Sequence, residues 1–459
     1  MNRASTQAHQ RGRLAWMDQL AFELFRATGR SQRMQCVWIY DRDVNLCGLS
    51  QTYERLVSLA FNRLIEPSLL PWGRPHWVKP AGELAPLQQD TDVLPRSQFM
   101  RWANMQAHAP IDPVTGPAWR MAIQRFDDGS TAVSLVGSHL VVDGMGSVQA
   151  IAAAANGTGV PNPYQTKGTR GWLTGCASDA WQILADAPRT LTALARIAKA
   201  SWQRPLAPTA SQIRLTENES STQSEVLKLP SASVTIPAPA WDACAKRLGG
   251  RENTLLPGFV ATLALHMGRC RSSDGTVSLL VPIDTRQGLT DERALAIEFR
   301  TMTVAPKGLS SNLRPLSAPF KALLRSSKEN QTGALALLLP AISWLPTRFS
   351  ATLVNRLFAY ADALPVSCSN LGRLPLELAR IDGAPCTHVL TRAVDVNVSL
   401  RDLMRSHGHL VAVASRYGET VSLCIEACQL APTPTTTDDL RMAIDQALTD
   451  FSLNAVIET

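Results

Sequence analysis

The sequence predicts a mixed α/β protein built as two related subdomains. Three observations predict it. Helical and strand-type patterns are mixed along the chain, several strands are joined as hairpins rather than by parallel crossovers, and the order of elements in the second half roughly repeats that of the first. The 459 residues are enough for two sizeable cores, and a composition of 45% hydrophobic and 18% charged residues is ordinary for a globular protein.

The elements follow in order. "LAWMDQLAFELFRATG" reads as a helix stopped by Gly29, and "MQCVWIY", rich in β-branched and aromatic residues, as a strand. "SQTYERLVSLAFNRLI" carries apolar residues at helical spacing, and residues 67–95, rich in Pro and Trp, read as irregular. "PAWRMAIQRF", "DDGS" and "TAVSLVGSHL" make a hairpin with Asp128-Gly129 in its turn. "SVQAIAAAA" is strongly helix-forming, with Ser147 as candidate cap, and residues 170–204 read as one or two amphipathic helices with three tryptophans. The polar stretch 206–226 lacks apolar periodicity and reads as a linker between an N-terminal subdomain, 14–205, and a C-terminal one, 227–459. Beyond it come the strand "ASVTIPA", the helices "PAWDACAKRLG" and "NTLLPGFVATLALHMGRCR", and the strand "TVSLLVPI" ending at Asp284-Thr285-Arg286. "ALAIEFRTMTVA", helical stretches over 316–360, the loop "LPVSCSNLGRLP", "HVLTRAVDVNVSL", the hairpin "HLVAVASRYGETVSLCIEA" and a last helix capped by Thr436 or Thr437 complete the chain.

The totals exclude several classes. The net charge of +7 comes from scattered arginines, with no basic stripe, so no nucleic-acid partner is expected. Nine irregularly spaced cysteines and an N-terminus without an apolar signal core point to free thiols and a cytoplasmic location. No apolar run reaches spanning length. Residues 334–345 come closest, interrupted by Pro340, and read as a core helix or, at half the weight, an interfacial one. No Walker, Rossmann or zinc signature occurs, and no metal or tightly bound cofactor is expected. His407 and His409 are weak metal candidates without a nearby ligand cluster, and Cys424 and Cys428 read as buried thiols. Among eleven tryptophans, Trp72, Trp77, Trp102 and Trp119 are candidates for a substrate tunnel, with core the better reading for each.

The chemistry concentrates in "SHLVVDG", where a strand ends and a Gly-containing loop enters a helix. An imidazole exchanges protons near neutral pH, and held in an apolar cleft it is kept neutral and ready to act as a base. That is the reading for His139, against the alternative of a satisfied core histidine. Asp143, four residues on across an apolar run, needs a buried partner, and Gly144 lets the chain turn where a side chain would not fit.

"SHLVVDG" resembles the H-H-x-x-x-D-G signature of thioester-dependent acyltransferases with the chloramphenicol-acetyltransferase-like fold. "PAWRMAIQRFDDGSTAVSLVGSHLVVDG", "LLVPIDTR" and "SCSNLG" resemble further stretches of that superfamily, in the same order, so the resemblance covers nearly all of the chain after residue 14. Length and "PWGRPHWV" bring it nearest the wax ester synthase/diacylglycerol acyltransferase-like and polyketide-associated branches, with nonribosomal peptide condensation domains related. The resemblance implies two subdomains around a central channel. It implies an O-acyltransferase that moves an acyl group from acyl-CoA or an acyl carrier protein to a long-chain alcohol, diacylglycerol or other lipid. The alternatives are a stand-alone amide-forming condensation enzyme and a degenerate member that binds a carrier protein or lipid without turnover. Contact with a membrane or lipid-droplet surface through residues 335–345 is a further expectation. His139 is then the general base, Asp143 a brace paired with Arg286, and Ser369 or Asn370 a donor to the oxyanion or substrate, the alternative for these two being a simple turn. The family's first histidine is Ser138 here. Neighbours on a strand face opposite ways, so Ser138 is assigned at most to orienting the loop.

Overall fold

The computed structural model of the chain describes residues 12–82, 87–203, 226–325, 365–430 and 434–459. The first half contains α1 (Trp16–Thr28), β1 (Ser31–Tyr40), α2 (Leu46–Ser58), β2 (Leu64–Glu66), β3 (His76–Val78), β4 (Gln88–Gln89), α3 (Phe99–Ala107), β5 (Trp119–Arg125), β6 (Thr131–Ser138), α4 (Gly144–Asn156) and α5 (Trp172–Gln203). The second contains β7 (Val226–Leu227), β8 (Ser231–Pro237), α6 (Ala238–Arg247), α7 (Glu252–His266), β9 (Val277–Asp284), β10 (Ile297–Val304), α8 (Arg314–Arg325) and β11 (Val366–Arg373). It continues with β12 (His388–Val396), β13 (Val398–Ser399), α9 (Leu400–Arg405), β14 (His409–Tyr417), β15 (Thr420–Cys428), α10 (Thr437–Asp450) and β16 (Val456–Glu458). The expected α/β class is the observed one.

Two main sheets organise these elements, a five-stranded one in the order β12-β1-β6-β5-β4 and a seven-stranded one in the order β10-β9-β11-β14-β15-β8-β16. The hairpin of the sequence analysis is β5–β6, paired from Trp119–Gly137 to Arg125–Thr131, with Gly129 in the turn at φ +82°. Left-handed φ is costly for any residue with a Cβ, which explains the glycine. Strand β12 belongs to the second half of the chain, yet it pairs antiparallel with β1 over Ser31–Val396 to Ile39–His388. Polar bonds stitch it to the seven-stranded sheet as well: Thr391 Oγ1 donates to Ser415 Oγ at 2.9 Å, and Ser422 Oγ to the Val389 carbonyl at 3.2 Å. The apolar core under the first sheet includes Trp38, Leu135, Val142 and Ile151, and also Leu378, Ile381 and Val389 from the second half.

Several expectations are corrected. The helix read over 50–65 starts earlier, at Leu46, because Asn45 caps it, accepting from the Cys47 and Gly48 amides, and it ends at Ser58, where Leu59 leaves in extended geometry. Residues 64–66 form β2, which pairs with β3 inside the stretch read as irregular. Of the one or two helices read over 170–204, the structure has one, over 172–203, as the first of those readings expects. The segment 204–225, most of the expected linker, and residues 326–364, which include 335–345, lie outside the described residues. Among the described residues no helix is long and apolar enough to cross a membrane. All nine cysteines are free thiols.

Candidate active site

His139 stands one residue past the end of β6, where its amide donates to the Gln32 carbonyl at 2.9 Å and so ties the loop to β1. The ring is half-buried, and its Nδ1 is shut away without a hydrogen-bond partner. Ser138 is buried, and its Oγ accepts from the Leu140 amide at 3.3 Å, a local bond of the kind serine makes at turns.

Asp143, not Ser147, caps α4. Its Oδ1 accepts from the Gly146 amide at 2.6 Å, while Ser147 sits inside the helix and donates its Oγ–H to the Asp143 carbonyl. A carboxylate is well placed at a helix N-terminus, where unpaired N–H groups carry partial positive charge. Its other oxygen accepts from Arg286 Nη2 at 2.5 Å and from the Ala296 amide at 2.8 Å. Both side chains are almost fully enclosed, so this is a buried ion pair. Arg286 Nη1 and Nη2 also donate to the carbonyls of Arg293 and Ala294, each at 3.1 Å, while its Nε is buried without a hydrogen-bond partner.

Two glycines make room for this joint. A Cβ on Gly146 would lie 2.9 Å from Arg286 Nη2 and 3.0 Å from Asp143 Oδ1. A Cβ on Gly144 would lie 3.0 Å from Leu371 Cδ2 and 3.3 Å from the end of Met34. Leu371 belongs to "SNLG", and the contact brings that stretch to the mouth of the histidine loop. The stretch is the end of strand β11 rather than a loop, with a register break between Asn370 and Arg373 against β14. Asn370 is exposed, Ser369 is half-buried, and Asn370 Oδ1 accepts from the Gly372 amide at 2.8 Å across the bulge.

Two braces escaped the sequence analysis. Arg63 lies flat over Trp77 at 3.9 Å, donates from Nε and Nη2 to the Val141 carbonyl at 3.0 and 2.7 Å, and reaches the Glu292 carbonyl at 2.7 Å. Asp18 of α1 accepts from the amides of Ala294 and Leu295 at 3.1 and 2.8 Å; its burial pushes its carboxyl above the usual range against those hydrogen bonds. Segment 291–296 is thus held by Asp18, Arg63, Asp143 and Arg286 together. A cavity of about 300 Å³ opens beside the loop, lined among others by Phe61, Arg63, Val142, Gly146 and Arg286. His139 is not among its lining residues.

The remaining candidates separate from this site. Trp77, Trp102 and Trp119 are core, the last donating to Asn62 Oδ1 at 3.2 Å, while Trp72 is on the surface. His407 turns at φ +51°, and His409 points into the seam between the sheets. There its Nδ1 faces Asp395 at 3.6 Å and its Nε2 faces Glu426 at 3.2 Å. Arg30 also holds Asp395, at 2.8 Å. Asp395, His409 and Glu426 thus form a buried group whose ligand atoms all lie within 4.8 Å of one another, a carboxylate cluster that His409's neighbours in sequence did not show.

No protein-family model matches the sequence, and no curated protein matches it. Solved structures do. The first condensation domain of the calcium-dependent antibiotic synthetase, in complex with a substrate analogue, aligns with a TM-score of 0.55 at 15% identity over 96% of this chain and 95% of that one. A variant of the starter condensation domain of rhizomide synthetase, in complex with C8-CoA, aligns with a TM-score of 0.51 at 13% identity over 96% and 94%. The chain therefore has a condensation-domain-like fold.

Proposed function

We propose that the protein transfers an acyl group from a thioester, carried by coenzyme A or an acyl carrier protein, to an amine, forming an amide without an acyl-enzyme. The observation that carries this reading is His139 at a strand end, on a loop pinned by the buried Asp143–Arg286 pair, within a fold shared with condensation domains over nearly the whole chain. With Nδ1 buried, Nε2 is the nitrogen assigned to the reaction. As the acceptor nitrogen bonds to the thioester carbonyl carbon, its proton passes to His139. The C–S bond then breaks, and the departing thiolate takes that proton back. Asn370 is the assigned donor to the carbonyl oxygen, with Ser369 second. Asp143, Gly144 and Arg286 hold the loop, and Ser138 orients it.

The ester-forming reading, with a long-chain alcohol, diacylglycerol or other lipid as acceptor, rests on the wax ester synthase-like resemblance of the sequence. The likeness of fold to condensation domains favours the amine. A thiol-release assay with acyl-CoA, an acyl carrier protein and panels of amines and alcohols tests both. Release with amines, reduced about 10²–10⁴-fold in His139→Ala, is expected. Release with alcohols alone would select the ester-forming reaction. Wild type no better than His139→Ala with every pair would leave a binding protein without turnover.

A further inference from the structure

A second group of ionisable side chains sits in the seam between the two main sheets. Antiparallel pairing sets His409 of β14 opposite Cys428 of β15, and Val411 opposite Glu426. His409 and Glu426 are therefore diagonal neighbours on one face of that sheet. Asp395 of β12 meets them from the other sheet, and one ligand-type atom from each of the three lies within 4.8 Å of the other two. His409 is only 7% exposed. Its Nε2 is buried 3.2 Å from Glu426 Oε1 yet makes no hydrogen bond with it, so the ring nitrogen points past that oxygen. A nitrogen and an oxygen that share one ion stand this way. With bonds of about 2.0–2.1 Å to a tetrahedral zinc, ligand atoms lie roughly 3.3 Å apart, each aimed at the ion rather than at the other.

Among the described residues no arginine or lysine pairs with Glu426, whose Oε1 accepts from the Asp395 amide at 3.1 Å. The buried Arg392 nearby spends its guanidinium on Gln35, Asn104 and Ser231 instead. Asp395 is held in place by Gln32 Nε2 on Oδ1 at 3.0 Å and by Arg30 on Oδ2 at 2.8 Å. The Arg30 side chain is one-third exposed, so it can withdraw from that oxygen into solvent. We propose that Asp395, His409 and Glu426 bind one divalent cation of the zinc class, with His409 Nε2 and the two carboxylates as ligands. One imidazole with two carboxylates suits zinc, whereas calcium and magnesium take oxygen ligands alone. The ion ties β12 to β14 and β15 across the seam. It also stands behind the histidine loop: Gln32 pairs with Asp395 between β1 and β12, and its carbonyl accepts the His139 amide. Two strand spacings, about 10 Å, separate the two places. None of this depends on acyl transfer.

The test is zinc uptake by the full chain, stripped with a chelator, reloaded and passed through gel filtration, read as zinc per chain and as Tm. One equivalent of zinc and a raised Tm are expected. Glu426→Gln should weaken binding by more than the roughly 10–100-fold that loss of an outer-shell partner costs. Arg30→Gln should bind at least as tightly as wild type, because the guanidinium competes for Asp395 Oδ2. His407→Gln, outside the cluster, should bind as wild type does. Cobalt(II) in place of zinc should give the visible absorption of a four-coordinate ion in the wild-type chain, a readout that needs no variant to fold. Zinc well below one equivalent, full binding by Glu426→Gln, loss of binding in His407→Gln, or the spectrum of hydrated cobalt overturns the proposal. So does weaker binding by Arg30→Gln, since the arginine and the three side chains would then form a closed ionic network with no place for an ion.

Discussion

Asp143 accepts from three donors, and one of them carries a full charge. The ion pair with Arg286 is nearly dry, so removing one partner strands the other. Asp143→Asn is expected to cost about 3–5 kcal/mol in a denaturant melt, whereas replacing both residues by apolar ones should cost less than the sum of the single changes. Gly146→Ala presses a methyl group into the same joint and should destabilise by about 1–3 kcal/mol, with thiol release lost as the loop shifts. His139→Ala is the contrast: half-buried and unpartnered at Nδ1, it should lose turnover and keep its Tm. Asp143's need for a buried partner was legible in the apolar run around it, but Arg286 as that partner came only through the resemblance of "LLVPIDTR" to the superfamily's strand end. Arg63 and Asp18 were not legible. They act on carbonyls and amides of the main chain, and a bond to the backbone leaves no matching residue type at the other end to be read.

Between elements, the β3–α5 joint carries a pH dependence. His76 on β3 lies against Arg170 at 3.3 Å and Asp179 at 3.8 Å. Burial, then the neighbouring Arg170, lowers its pKa to about 4. The unfolded histidine titrates near 6.5, so between these values the unfolded chain binds a proton that the folded one refuses. Stability should therefore fall as the pH drops from about 6.5 towards 4, and His76→Gln should flatten that part of a Tm-versus-pH curve. Element types were legible where periodicity was strong, as in the β5–β6 hairpin. Boundaries were legible only where a cap was, so Asn45 and Asp143, capping from outside the apolar patterns, moved the starts of α2 and α4. The end of β11 read as a loop because Gly and Asn dominate it; neighbouring strands supply the pairing that local composition does not.

For the whole molecule, the decisive element is β12. The subdomain boundaries proposed from the sequence, 14–205 and 227–459, remain our proposal for the chain's organisation, with one strand exchanged between them. Nothing in "HVLTRAVDV" names its sheet, since partner choice is a long-range contact. Expressed alone, residues 1–203 should leave β1 as an open edge and aggregate, and residues 226–459 should expose β12; mixing the two should recover soluble, folded protein by circular dichroism. The same strand sets a timetable for synthesis. A ribosome delivers β12 long after β1, so the first sheet waits unfinished while the residues between them are made. The loop that holds His139 hangs from that sheet, and Arg286 also arrives late. The proposed site can therefore close only once β12 has been made.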